Sequence, residues 1–298
     1  MRRFDLSRYL AIIEQQKITE TLMVPAIIKS ILKRSSLENI DLQSLQLVWS
    51  AGTILDQHTQ QQIQGLLVPS ARVVQTWGMT EAGFITTFLW PEKDDSGSVG
   101  RLLPKVEAKI VDSNGNILHG DYIQGEILVK GPLIMQGYLS NKVASNDAID
   151  ADGWLKTGDI GYTVQGKFYI VDRKKEMIKV RGWQVSPAEL ESVLMRHPAV
   201  LDCAVIGIPI ANGTDEVPRA YIVQKSDVQL TADEVKTFVS IYLAKYKSLD
   251  GGVVFTDYIP KNSTGKTLRN VLRDRAKRED KQASRPLLSR NACSRYWL

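Results

Sequence analysis

Thr76-Trp77-Gly78-Met79-Thr80-Glu81-Ala82-Gly83 follows directly on the apolar run 72–75 and sets an indole, a glycine, a hydroxyl and a carboxylate within five residues. Alone, the stretch reads equally well as a strand end with a glycine turn and a surface glutamate. Its surroundings narrow the reading. Residues 7–16 have helical periodicity with Leu10, Ile13 and Leu6 on one face, and residues 18–24 read as a strand before a helix opened by Pro25. Residues 45–49 and 72–75 read as further strands around a helical segment at 56–67. Strands alternating with helices predict a parallel α/β layer, with the quoted stretch leaving the end of its last strand.

Beyond the stretch the texture changes twice. From 99 to 172, short alternating strands are broken by Asn114-Gly115, Gly120, Gly131-Pro132, Asp152-Gly153 and Gln165-Gly166, which predicts a small antiparallel or barrel-like subdomain. After Lys175, Ser186-Pro187 opens a helix with Glu189 and Glu191 in its first turns and Leu190, Val193 and Leu194 on its buried face. Strands follow at 201–208 and 219–224. Thr231-Ala232-Asp233-Glu234 is a capping-box pattern for a helix reaching about Lys247; a short strand at 253–256 and a basic helix at 268–277 complete a compact α+β unit.

Composition bounds the function classes. The 298 residues are 43% hydrophobic and 24% charged, as in ordinary globular chains. The formal charge of +5 is uneven: from Lys266 onward stand 10 Lys and Arg against 3 Asp and Glu, leaving 28 and 30 before it. A basic tail carrying only Tyr296 and Trp297 as aromatics reads as a solvated helix, so no nucleic-acid partner is expected. Cys203 and Cys293 fit no metal or haem spacing, and His58, His119 and His197 are isolated in sequence, which argues against a metal cluster or a histidine triad. Cys203 reads as a small buried hydrophobe. No run reaches membrane-spanning length, and the N-terminal apolar run 9–13 is too short for a secretory signal. The expected location is cytoplasmic.

Three further motifs follow the first in order: Gly153-Trp154-Leu155-Lys156-Thr157-Gly158-Asp159, Val171-Asp172-Arg173-Lys174-Lys175-Glu176 and Ser263-Thr264-Gly265-Lys266. Together the four resemble the signatures of the adenylate-forming superfamily, nearest the acyl- and aryl-CoA ligases of the 4-coumarate:CoA ligase type. The rival reading of Gly265-Lys266-Thr267 as the end of a Walker loop fails, because Pro260 stands where that loop needs glycine.

The resemblance implies a fold of mixed α/β and α+β domains. Residues 1–171 would be the C-terminal portion of the AMP-binding large domain, an α/β layer plus the barrel-like subdomain. Residues 172–278 would be a mobile small α+β domain, and 279–298 a basic tail. It also implies the chemistry, in which a small-molecule carboxylic acid attacks the α-phosphate of ATP and the acyl-adenylate then passes to coenzyme A. Around ATP it places Thr76, Trp77 (stacking on adenine), Gly78 (close backbone approach), Met79 and Thr80 (α-phosphate), with Glu81 on Mg²⁺. Asp159 would hold the ribose hydroxyls, Arg173 the ribose and phosphate, and Lys175 the hinge. Lys266 would serve adenylation, while Lys179 and Gln184 assist catalysis on a second face where Arg181 and Gly182 border the pantetheine tunnel.

This sequence departs from the pattern in places. The Ser/Thr/Gly-rich triphosphate loop expected upstream is absent, so the chain reads as lacking the N-terminal part of the large domain. Three outcomes stay open: an acid:CoA ligase completed by a complementary N-terminal segment, an inactive remnant or nucleotide-binding pseudoenzyme, or a peptide-synthetase adenylation fragment. The first is the reading taken. Thr76 stands where relatives often have glycine, and with Phe84 it predicts an acid site favouring slim acids. The end, Arg295-Tyr296-Trp297-Leu298, is not a peroxisomal tripeptide.

Overall fold

The computed structural model describes residues 4–35, 40–210, 215–226, 228–262 and 265–283. Ser263, Thr264, Cys293 and the tail from 284 onward lie outside the described residues.

The first body is an α/β layer. Helix α1 (Leu6–Gln16) starts where the Asp5 carboxylate accepts the Arg8 amide at 2.8 Å, and it buries Leu10 and Ile13. Strand β1 (Glu20–Met23), helix α2 (Pro25–Ser35), strand β2 (Leu47–Ser50), helix α3 (Gln57–Gln64) and strand β3 (Arg72–Gln75) follow. The strands pair in parallel in the order β1-β2-β3, as the alternation predicts. Ile28, Ile31, Val48, Ile63 and Val73 interlock in one core between helices and sheet. Each such side chain withdrawn from water contributes about 1.5–3 kcal/mol.

The decisive stretch turns away from this layer. Strands β4 (Trp77–Met79), β5 (Gly83–Thr87) and β6 (Arg101–Leu102) form a small antiparallel sheet. Gly78 is required where β4 crosses β5, because a Cβ there would overlap the Gly83 carbonyl oxygen. Strands β7 (Glu107–Val111), β8 (Ile117–Leu118) and β9 (Gly125–Lys130), helix α4 (Lys142–Ala148), and strands β10 (Leu155–Val164) and β11 (Lys167–Arg173) complete this body. The antiparallel texture takes the form of a five-stranded sheet, β11-β10-β9-β7-β8, bridged to the smaller one at Gly100 and Phe168. Trp77 and Ile85 of one sheet pack on Ile127, Leu155 and Phe168 of the other.

After a 3₁₀ turn at Lys174–Glu176 come the hairpin β12 (Ile178–Val180) and β13 (Trp183–Val185), then helix α5 (Pro187–Leu194). Strands β14 (Val200–Pro209) and β15 (Glu216–Gln224), helix α6 (Ala232–Tyr242), strand β16 (Val253–Phe255) and helix α7 (Arg269–Ala283) follow. Strand alternation explains the packing. Cys203 and Val205 of β14 point into the core beneath α5 and α6, while Ala204 and Ile206 point to the opposite face, where Leu272 and Ala276 of α7 cover them. Cys203 is a free, buried thiol, and burial pushes its pKa well up, which keeps it neutral and inert.

Thr231 and Glu234 form the reciprocal capping box that their spacing predicts. The helix stops at Tyr242, short of the expected Lys247, because Leu243 turns extended and packs on the core before a 3₁₀ turn at Lys245–Lys247. Helix α7 runs further than the expected 268–277.

Candidate active site

Asp159 is the centre of the site. The β10–β9 pairing shifts register between Lys156 and Ile160, and this bulge turns a charged side chain inward, leaving the residue 4% exposed. Thr157 locks the bulge, donating its hydroxyl to the Ile127 carbonyl at 2.6 Å and accepting the Asp159 amide at 3.1 Å. Across the strand pair, Arg173 stands in register and its Nε lies 2.7 Å from Asp159 Oδ1. The indole N–H of Trp77 donates to Oδ2 at 2.8 Å. Burial pushes the Asp159 pKa up; Arg173, the Trp77 bond and Lys266 pull against it.

Lys266, from the C-terminal body, lies near enough for its charge to act on this carboxylate, with no hydrogen bond or ion pair joining these two described residues. Its pKa is lowered first by partial burial and then by Arg173 and Lys175, with Asp159 and Glu176 opposing. The loop that carries it is pinned by the Asn262 side chain, whose Oδ1 accepts the Lys266 amide at 2.8 Å. Thus Asp159, Arg173 and Trp77 are bonded to one another with Lys266 near enough for its charge to act on the carboxylate, one residue from each of the four motifs and the later three 82 to 189 positions after Trp77.

Trp77 differs from its expected role. Its ring is 7% exposed and stacks on Phe168 at 6.5 Å between centroids, so it has little open face to offer adenine. It acts here as a hydrogen-bond partner of Asp159. Thr76 is also buried, and its hydroxyl donates to the Thr86 carbonyl at 2.6 Å. Met79 is half-buried on β4, Thr80 is exposed on the turn that follows, and Glu81 accepts the Tyr138 hydroxyl at 2.9 Å. Among the described residues no cluster of three or more His, Cys, Asp or Glu could hold a metal ion.

The remaining candidates form a separate surface. Lys179 and Gln184 stand opposite each other on β12 and β13, joined by a two-residue turn in which Arg181 and Gly182 both have positive φ (47° and 84°). Two positive φ values in a two-residue hairpin mark the tight turn that matches strand twist. All four residues are exposed, and no bond joins them to Asp159 among the described residues.

Sequence reasoning missed Asp172 and Glu191. Asp172 is 7% exposed and its Oδ2 accepts from the Ser186 hydroxyl at 2.9 Å and the Ala188 amide at 3.0 Å, tying β11 to the start of α5 across the 3₁₀ turn. Glu191 accepts from Arg269 at 2.8 and 2.9 Å and from the Val205 amide at 2.9 Å. An acid followed by apolar residues gives no sign of inward facing; only an arginine 78 positions later supplies its partner.

Comparison with known proteins gives the family. Residues 1–139 match the AMP-binding enzyme family and residues 189–266 the AMP-binding enzyme C-terminal domain. A phenylacetyl-CoA ligase of Aspergillus niger is 46% identical over 286 residues, covering 94% of this chain and 52% of that protein. A 4-coumarate–CoA ligase of Oryza sativa subsp. japonica is 39% identical over 279 residues, covering 92% of this chain and 49% of that one. The chain spans about half the length of the curated relatives it matches. The crystal structure of ATP-bound MatB from Rhodopseudomonas palustris superposes with a TM-score of 0.84 at 28% identity, over 93% of this chain and 54% of that one. Apo MatB superposes with a TM-score of 0.68 at 29% identity over the same shares. With two matched regions, ordered motifs and a shared fold, the chain belongs to the adenylate-forming, AMP-binding enzyme family.

Proposed function

We propose that this chain carries the nucleotide-handling part of an ATP-dependent acid:CoA ligase, which joins a carboxylic acid to AMP with loss of pyrophosphate and then exchanges AMP for the thiol of coenzyme A. The observation that carries the reading is the buried Asp159 carboxylate held by Arg173 and Trp77, with the charge of Lys266 acting on it from the C-terminal body. A carboxylate has about four lone-pair positions. Arg173 and Trp77 occupy one on each oxygen of Asp159, which leaves one on each for the two hydroxyls of a ribose. Arg173 bonds through Nε, and its terminal nitrogens would serve the phosphate side of the nucleotide.

Lys266 would bring a compact positive charge to the α-phosphoryl oxygens and the incoming carboxylate, where charge develops in the transition state. Mg²⁺ would neutralise phosphate charge when bound. Glu81 fits as its ligand, being a carboxylate of which Tyr138 holds one oxygen, with nucleotide phosphates and water completing the oxygen shell. The exposed hairpin would serve the coenzyme A step after the C-terminal body turns about Lys175, bringing Lys179 and Gln184 inward. The names of the relatives support a carboxylic acid as substrate. The choice among acids is read from Thr76: its buried methyl and its bonded hydroxyl fill space, which would favour slim acids.

The test is acid-dependent exchange of labelled pyrophosphate into ATP, run with a panel of acids on this chain and on a form extended upstream at the gene level. Exchange that falls about 10²- to 10³-fold in Lys266→Ala is expected. Nucleotide binding with no exchange in either form, for any acid, would overturn the ligase reading in favour of a binding protein.

A further inference from the structure

Helix α2 is a seat for the lysine loop. Gly265, the residue before Lys266, lies so close to Ala26 that a Cβ built on it would overlap the Ala26 Cβ. Ala26 is the second residue of α2 and half-buried, and it belongs to the first body while Gly265 belongs to the C-terminal one. The start of α2 therefore lies against the C-terminal body, 239 residues away in sequence at Gly265. A long or branched side chain at position 26, or any side chain at 265, occupies the same space.

We propose that Ala26 is a positioning residue: its small side chain is the seat on which the Gly265–Lys266 loop docks, and this contact sets whether Lys266 reaches Asp159. The proposal deepens the ligase reading by naming what holds its adenylating arrangement, and it rests on that reading only for its consequence in catalysis. Docking partly buries Lys266 and sets it beside Arg173 and Lys175, which together hold its pKa below the usual lysine value. Undocking removes all three influences. No ligand and no turnover are needed to see the change.

The experiment is lysine acetylation of the intact chain by acetic anhydride across a pH series, with the extent at Lys266 read by mass spectrometry. Ala26→Leu should move the pH midpoint of Lys266 upward toward the ordinary lysine value, while Ala26→Ser, which fits the seat, should keep the native midpoint. Thermal unfolding checks that each variant is folded; if Ala26→Leu is not, Ala26→Val decides. An unmoved Lys266 midpoint in the folded bulky variant overturns the proposal, as does an equal shift in Ala26→Ser. A shift in Lys266 together with absent pyrophosphate exchange in the unaltered chain supports the seat while refuting the ligase reading, so the two stand or fall separately.

Discussion

Asp159 and Arg173 face each other across β10 and β11 with Oδ1 and Nε 2.7 Å apart, and the carboxylate is almost wholly buried while the guanidinium is about one-third exposed. The arginine thus orients this acid and opposes the rise that burial imposes on its pKa. Asp159→Asn keeps an oxygen for the Trp77 N–H but loses the charge and one acceptor. AMP binding, measured by calorimetry, should weaken about 10- to 100-fold, the range of one or two hydrogen bonds to a charged group. Unchanged affinity would remove Asp159 from nucleotide binding.

The same substitution has a pH signature. The folded pKa of Asp159 is raised above its ordinary 3.8, so between the two values the folded chain binds more protons than the unfolded one. Its contribution to stability is fully present below the ordinary value and is lost as pH rises through the folded pKa. Urea midpoints of Asp159→Asn minus the unaltered chain should therefore climb as pH rises from about 4 toward neutrality. A flat or falling difference would contradict the burial assigned to this carboxylate.

How much of this was legible beforehand varies by residue. The parallel layer, the Thr231 capping box and the Ser186 start of α5 are local matters of spacing and side-chain chemistry, and they stand as read. The Asp159–Arg173 pair needed a register that a bulge sets, and a bulge leaves no pattern in the sequence beyond a glycine at 158. The turn of Trp77 toward the interior depends on Phe168, which reaches it only because two sheets fold onto each other. A motif names a residue type; which way the ring points is a tertiary matter.

Trp77→Phe separates those two contacts. The ring stacked on Phe168 remains, and the N–H to Asp159 is lost. Stability in urea should fall by about 1–3 kcal/mol, the value of a hydrogen bond to a charged group. The Asp159 pKa should rise further, since the Trp77 bond lowers it. A neutral change in both would show that the bond does not hold the carboxylate.

Glu191 and Arg269 make a second test, in the C-terminal body alone. Burial raises the Glu191 pKa and Arg269 opposes it. Removing one partner strands a buried charge, so Glu191→Ala should cost about 3–5 kcal/mol, whereas replacing both residues with methionine should cost much less. Urea unfolding followed by circular dichroism measures both. Equal losses in the single and double variants would mean that the pair is not coupled.

Whether two bodies of this chain hold one nucleotide is decided most directly by asking if ATP shields Lys266. Acetylation of Lys266 should slow when ATP is added to the unaltered chain, and the protection should vanish in Asp159→Asn, because the nucleotide that covers the lysine is gripped at its ribose from the other body. Protection of equal strength in Asp159→Asn, or none in the unaltered chain at saturating ATP, would contradict the shared site.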